Sequence, residues 1–179
     1  RLNCQVVVTV RHPAAFASSL KRLNWSFDFR DLLDQPLLMR DHLEADRADM
    51  QAMPADDIIG QAALLWRIIY RTVHHECHRN PDIQAVRHED LSLDPVSGYR
   101  SLYQSLGLEF SPRAEKDILN SSSSENPTEL SKNKTHSVKL DSRANMHNWK
   151  KRLTAEEITR IRSLTEDVAH LFYSDVQWE

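Results

Sequence analysis

The sequence is poor in the residues that mark several common protein classes. Its 179 residues include three glycines and two cysteines, and the formal net charge is −3. Two cysteines are too few for a disulfide framework and neither lies in a C-x-x-C pair, so we expect free thiols and a reducing, cytoplasmic compartment. The charge balance gives no support to nucleic acid as a partner, and any anion site must therefore be local.

Long apolar runs and phosphate-cradling glycine loops are also absent from the sequence. No apolar run approaches the roughly 20 residues that span a bilayer, so we predict no membrane span. No G-x-x-x-x-G-K-[ST] loop occurs either. The hydrophobic fraction of 40% and the charged fraction of 27% are ordinary for a chain that buries one core, and we expect residues 1–179 to form a single domain.

The most informative stretch lies near the start of the chain, where a β-branched run leads into helical spacing. Residues 6–10 (VVVTV) predict a strand, and Pro13 fits the first turn of the helix that follows. Arg11 comes directly after the strand. A strand-to-helix junction gathers backbone N–H groups, a cation and hydroxyls at one point, which suits an anionic ligand.

The rest of the chain alternates predicted helices with one more short strand. A long amphipathic helix is predicted from Asp56 to just before Asn80, and residues 83–87 indicate a buried strand. Residues 121–142 have few apolar anchors, which predicts a mobile loop. Strands among helices favour a helix-rich α/β fold with a parallel sheet. Because two strands make a poor sheet by themselves, we expect further strands from outside this sequence and an incomplete domain.

Polar residues follow both predicted strands. Arg11 follows the first strand and His88 the second, and ligands of open α/β sheets bind beyond the carboxyl ends of the strands. Arg11 offers a fork of donors for phosphate oxygens, and Ser19 can add a hydroxyl. On these residues alone, an anion site is no better supported than a surface ion pair for Arg11 with Ser19 as an ordinary helix residue.

Two further groups of residues allow both a functional and a structural interpretation. Trp25, Phe27 and Phe29 could line an acceptor cleft or cap the core, and packing is the more common outcome. His74 and His78 stand at i, i+4, as two metal ligands would. A third ligand is not evident from the sequence, so a polar helix end is favoured and we predict no bound metal.

Segments along most of the chain resemble the sulfotransferase family. Three of them carry the likeness: Arg11-His12-Pro13 with Ser19; residues 86–91 (VRHEDL) with Asp94-Pro95 and residues 106–108 (LGL); and residues 141–145 (DSRAN) with Trp149-Lys150 and Leu153-Thr154. They are similar, in order, to the family's grip on the 3′-phosphate of its donor, to its YEDL…DP…FLGL segment and to its last cofactor loop. Three segments in the same order are more specific than any one of them.

The resemblance implies a P-loop-like three-layer fold and a transferase. The family moves a sulfuryl group from 3′-phosphoadenosine 5′-phosphosulfate to a hydroxyl or amine, leaving adenosine 3′,5′-bisphosphate. It implies that Arg11 and Ser19 grip the 3′-phosphate, that Ser142 and Arg143 close over it, and that His88 contacts the adenine where the family usually has tyrosine.

The resemblance also implies that the catalytic apparatus is incomplete in this sequence. The family's loop for the 5′-phosphosulfate precedes the strand at residues 6–10, so we expect a missing N-terminal segment of the same protein and an inactive fragment. The catalytic base and the acceptor stay unknown. His42 and Glu44 fall in a weakly patterned region and are poor candidates for the base.

Two other functions remain open at the level of the sequence. A small-molecule kinase of the P-loop type would bind magnesium and adenosine triphosphate, although no Walker-type element is present. A non-catalytic helical interaction module would present a large apolar patch and would have no anion pocket at Arg11.

Overall fold

The computed structural model describes residues 4–130 and 137–179. Strands β1 (Val6–Val10) and β2 (Ile83–Arg87) pair in parallel, with Val6 opposite Ile83 and Val10 opposite Arg87. Both strands are where the sequence predicts them, and the parallel pairing is confirmed. Because the strands are parallel, their carboxyl ends meet at one edge, and the residues after Val10 and after Arg87 are brought together there.

Helices make up most of the remaining structure. In chain order they are α1 (Pro13–Leu23), α2 (Arg30–Leu33), α3 (Pro36–Leu38), a π-helical turn (Met39–Leu43), a 3-10 turn (Glu44–Asp46), α4 (Arg47–Ala52), α5 (Ile58–Arg79), α6 (His88–Leu93), α7 (Pro95–Ser105), α8 (Pro112–Ser122), α9 (Ser142–Met146), α10 (Trp149–Arg152), α11 (Ala155–Ala169) and a final 3-10 turn (Asp175–Trp178). Helices with a small parallel sheet are compatible with the predicted α/β class.

The helix boundaries follow from local chemistry. Pro13 occupies the first turn of α1, where its missing N–H breaks no helical hydrogen bond. Asp57 caps the long helix α5 by accepting from the N–H of Gly60 over 2.9 Å. Gly107 follows α7 with a φ of 67°, a left-handed conformation that glycine adopts without strain.

The predicted loop at 121–142 is only partly irregular in the described residues. Helix α8 continues to Ser122, and Ser142 begins α9. The chain between them is tied at its base, because the N–H of Leu140 donates to the carbonyl of Ser121 over 3.0 Å. Residues 131–136 lie outside the described residues, and the mobility of the loop stays a prediction.

The end of β1 is fixed by side chains from α5 and from the C-terminal region. The indole N–H of Trp66 donates to the carbonyl of Arg11 over 2.7 Å, and Tyr70 Oη donates to the carbonyl of Thr9 over 3.1 Å. Trp66 is fully buried and packs with Val10. Helix α5 therefore runs antiparallel to β1 and holds the backbone from which Arg11 projects.

The two cysteines differ in their exposure to solvent. Cys4 is exposed, Cys77 is half-buried, and both are free thiols. Within residues 4–130 and 137–179, no helix combines the length and the apolarity that a bilayer crossing requires.

A buried carboxylate joins the region before α4 to the middle of α5. Asp46 is 1% exposed, and its two oxygens accept from Arg67 over 2.9 Å and from Arg71 over 2.7 Å. A carboxylate without its cations would be costly in this position, and so would the cations without the carboxylate. This pair of contacts anchors the poorly patterned region 30–53 to the core helix.

We expect Asp46→Ala to destabilise the fold by about 3 kcal/mol, because it removes the buried carboxylate that pairs with both Arg67 and Arg71. Urea unfolding measures the effect. Asp167→Ala is the matched control, since Asp167 also pairs with Arg71 but its side chain is 53% exposed, and its loss is expected to cost less than about 1 kcal/mol. Equal losses in the two variants would contradict the buried anchor.

Candidate functional site

Arg11 and Ser19 meet at the junction between β1 and α1. The Arg11 Nη1 donates to Ser19 Oγ over 3.3 Å, and Ser19 Oγ donates to the carbonyl of Ala15 over 3.0 Å. Side chains of a helix lean toward its N-terminus, so Ser19 faces back toward the residue that precedes the helix. The structure thus brings together the pair that the sequence singles out.

No carboxylate contacts the Arg11 guanidinium directly within the described residues. The guanidinium is partly buried, and in residues 4–130 and 137–179 it forms no ion pair. Burial lowers the pKa of Arg11, the negative charge of Glu89 acts in the opposite direction, and the positive charge of Arg152 lowers it further. Because a buried charge is costly without a counter-charge, this arrangement favours a bound anion.

Glu89 is a carboxylate whose charge acts on Arg11, and its oxygens accept hydrogen bonds from other groups. Oε1 accepts from the backbone N–H of His12 over 2.9 Å, and Oε2 accepts from Tyr173 Oη over 2.9 Å. Burial and then Glu89 raise the pKa of Tyr173 well above its ordinary value, so the phenol stays a donor. Glu89 therefore ties together the start of α1, the start of α6 and the residues after α11.

His88 lies beside Arg11 at the end of β2. Burial lowers the pKa of His88, the positive charge of Arg11 lowers it further, and Glu89 opposes both. Burial and the charge of Arg11 therefore both favour the neutral imidazole. Its Nδ1 is 3.3 Å from Ser92 Oγ, one turn later in α6. The structure places His88 next to Arg11, as the two strand ends predict.

Ser142 and Arg143 dock on the end of α6. Ser142 Oγ donates to the carbonyl of Ser92 over 2.8 Å, and Arg143 Nε donates to the carbonyl of Leu93 over 2.6 Å. Ser92 thus contacts both His88 and Ser142. In the described part of the chain, neither Ser142 nor Arg143 has a hydrogen bond to Arg11 or Ser19, so closure over that pair remains a prediction.

A cavity of about 510 Å³ lies against α1, beginning at Ser18, the residue before Ser19. It is lined by Ser18, Lys21, Arg22, Glu129, Leu130 and Arg152. Ser18 is 1% exposed, and its Oγ has no partner within the described residues. The volume lies in the range of small-molecule sites, and three of the six lining residues are basic.

Arg152 is a site residue that the sequence reasoning missed. Its charge is close enough to lower the pKa of Arg11, and it pairs with Glu129 over 3.3 Å. Its backbone carbonyl accepts from Lys21 Nζ over 3.1 Å, which ties α10 to α1. The sequence could have indicated Arg152 through its position three residues after the buried Trp149, on the same face of α10.

The three aromatic residues Trp25, Phe27 and Phe29 differ in whether they pack in the core or border a cavity. Phe29 is 4% exposed and belongs to the core with Met39 and Leu43. Phe27 contacts Phe29 edge to face at 5.1 Å, and both rings line a second cavity of about 510 Å³. Trp25 is 54% exposed. Core packing thus accounts for Phe29, and an open cavity exists beside Phe27.

His42 and Glu44 have neighbours other than the Arg11 site. The His42 ring lies 6.4 Å from that of His75, near the C-terminal end of α5. Glu44 accepts from Arg47 over 2.8 Å, and this hydrogen bond lowers the pKa of Glu44. These contacts give no support to either residue as the catalytic base.

Comparison with protein-family models identifies the class of the protein. The model described as a sulfotransferase domain matches residues 1–173. The chain therefore belongs to the sulfotransferase domain family, and sulfuryl transfer is the general reaction of its class. Comparisons with curated proteins and with solved structures found no match.

The contact between Arg11 and His88 predicts a titration effect that needs no ligand. Arg11→Met removes the positive charge beside the imidazole, so we expect the pKa of His88 to rise, while the remaining burial keeps it below the ordinary histidine value. Histidine titration by NMR measures the shift. Arg143→Met is the matched control and should leave the pKa of His88 unchanged, whereas no rise in Arg11→Met would show that the two side chains do not interact.

Proposed function

We propose that this chain holds the adenosine 3′-phosphate portion of 3′-phosphoadenosine 5′-phosphosulfate and belongs to an enzyme that transfers its sulfuryl group to a hydroxyl or amine acceptor. The observation that carries the proposal is Arg11. Its guanidinium is partly buried, bonded to Ser19 and without a carboxylate partner in the described residues. Family membership supplies the reaction class, and this side chain supplies a binding group for the donor.

The 3′-phosphate would lie against Arg11 and Ser19. A guanidinium presents parallel N–H donors that fit two phosphate oxygens, and charge-assisted bonds of this kind are stronger than neutral ones. The Ser19 hydroxyl is already 3.3 Å from Arg11 Nη1, so one oxygen can contact both groups. Arg152 adds positive charge from the neighbouring cavity, which further favours a dianion.

The adenine would lie against His88. A neutral imidazole packs against a purine without the cost of burying a second cation beside Arg11. It also offers a ring nitrogen for a hydrogen bond. The family usually has tyrosine at this position, so His88 preserves a flat ring while reducing its size.

The proposal includes a donor loop and further strands from outside residues 1–179. Sulfuryl transfer resembles phosphoryl transfer in depending on cations and N–H groups around the bridging oxygen and the leaving phosphate. The three glycines lie in or near helices: Gly60 in α5, Gly98 in α7 and Gly107 two residues after the end of α7. None of them forms a loop that could cradle the 5′-phosphosulfate. We propose that a preceding segment supplies this loop and completes a P-loop-like sheet.

Ser142 and Arg143 would complete the enclosure of the nucleotide. Arg143 is exposed and donates from Nε to the carbonyl of Leu93, and its two terminal nitrogens form no hydrogen bond within the described residues. Ser142 is joined through Ser92 to the helix that begins with His88. A small movement of α9 on the end of α6 would bring this loop toward the bound nucleotide, as in other enzymes whose loops close on charged ligands.

Calorimetric titration with adenosine 3′,5′-bisphosphate tests the site, using the longest polypeptide that contains residues 1–179. We expect Arg11→Ala to weaken binding by about 1.5–3 kcal/mol, the range for hydrogen bonds to charged groups, and Ser19→Ala by about 0.5–1.5 kcal/mol. Arg100→Ala is the control, because Arg100 is a surface cation paired with Glu115, and it should bind like the wild type.

Two outcomes of the titration would contradict the proposal. Equal affinity in the wild type and in Arg11→Ala would remove Arg11 from the site. A preference for adenosine triphosphate with magnesium over adenosine 3′,5′-bisphosphate would instead favour a kinase of the P-loop type.

A further inference from the structure

A second cluster of chemically active side chains lies near the C-terminal end of α5. His75 and Glu76 come from the last two turns of that helix, and His42 comes from the π-helical turn Met39–Leu43. One ligand atom of each residue lies within 4.8 Å of those of the other two. We propose that His42, His75 and Glu76 bind a divalent transition-metal ion, and Zn²⁺ in particular.

The spacing of the three groups suits tetrahedral coordination. His75 Nδ1 is 3.2 Å from Glu76 Oε1, close to the edge of a zinc tetrahedron, which is about 3.4 Å for metal–ligand bonds of 2.0–2.2 Å. The rings of His42 and His75 have centroids 6.4 Å apart and planes inclined by 73°. Both histidines are exposed, so small rotations of their side chains can bring the third ligand into range.

The donor set favours zinc over the hard cations. Two imidazoles and one carboxylate select zinc, copper or nickel, whereas calcium and magnesium prefer oxygen ligands alone. A His₂Glu set leaves one tetrahedral position for water, as in several zinc enzymes. The site is consequently a three-ligand site with an open position.

The π-helical turn gives the third ligand a fixed position. Met39 and Leu43, at its two ends, are 1% and 2% exposed and pack in the core, while His42 between them is exposed. π-helical turns are rare in proteins, and those that occur are frequently found at functional sites. The buried ends hold the turn against α5, so His42 faces His75 without a long flexible connection.

The cluster differs from the i, i+4 pair that the sequence indicates. The rings of His74 and His78 are adjacent, with centroids 4.2 Å apart. However, His78 Nδ1 lies 2.8 Å from the carbonyl of His74, which engages one ring nitrogen with the backbone. The three-ligand group uses the intervening His75 and a histidine from another element, and sequence spacing does not reveal that combination.

The position of the cluster separates it from the donor site. Trp66 of α5 contacts the carbonyl of Arg11, and Tyr70 contacts that of Thr9, so later residues of α5 lie toward the amino end of β1. His75 is nine residues beyond Trp66, which corresponds to about 14 Å along the helix. A metal ion there would join residues 39–43 to the end of α5 and would not contact the transferred group.

Zinc titration of the chelator-treated polypeptide tests the proposal. Calorimetry with ZnCl₂ should give one equivalent bound by the wild type, and His42→Ala should weaken binding by at least about tenfold, the smallest loss typical for removing a group that supports a metal site. Glu76→Gln, which keeps the size of the side chain, should weaken it in the same direction. His78→Ala is the matched control on the same helix and should retain wild-type affinity.

Thermal unfolding provides a second readout, because an ion that binds only the folded state raises the melting temperature. Zinc should raise it in the wild type and in His78→Ala, and by less in His42→Ala. Absence of zinc binding by the wild type, or loss of binding in His78→Ala with retention in His42→Ala, would overturn the proposal. Adenosine 3′,5′-bisphosphate binding should be the same in His42→Ala and the wild type, so the metal site and the nucleotide site are tested independently.

Discussion

The positive charge of Arg11 sits at the point where two parallel strands end, and the surrounding structure is built to keep it there. Trp66 fixes the backbone carbonyl of Arg11, and Ser19 orients the guanidinium. Glu89 accepts hydrogen bonds from the backbone N–H of His12 and from the phenol of Tyr173. Arg11 forms no ion pair within the described residues, so N–H donors of its guanidinium are available to an anion, as a phosphate site requires.

The same arrangement explains why a histidine is suitable beside this arginine. A protonated imidazole at His88 would add a second buried cation next to the first, and both burial and repulsion oppose protonation. In the proposed site the ring would contribute shape and hydrogen bonding, and Arg11 would contribute charge. A division of this kind fits a ligand that has a flat base at one end and a phosphate at the other.

Residue patterns within continuous stretches of the sequence predicted the main secondary-structure elements. The two strands and the long helix α5 each depend on the residue pattern of one continuous stretch of chain, and they were found where expected. The mobility of residues 121–142 and the roles of Ser142 and Arg143 stay predictions, because they depend on how a loop responds to a ligand.

Contacts between distant segments were not predictable from one sequence. Arg152 acts on Arg11 across most of the chain length, and the Glu89–Tyr173 hydrogen bond joins residues 84 positions apart. The cluster of His42 with His75 could not be found from the sequence for a further reason. His42 lies in a π-helical turn, which lacks the 3.6-residue period by which an amphipathic helix is recognised in a sequence.

A crystal structure of the polypeptide with adenosine 3′,5′-bisphosphate tests the central role of Arg11 most directly. The account predicts that oxygens of the 3′-phosphate lie within about 3 Å of the Arg11 guanidinium and of Ser19 Oγ, the ordinary distance of such hydrogen bonds, with the adenine against His88. Nucleotide bound elsewhere, with Arg11 still bonded to Ser19 alone, would contradict it.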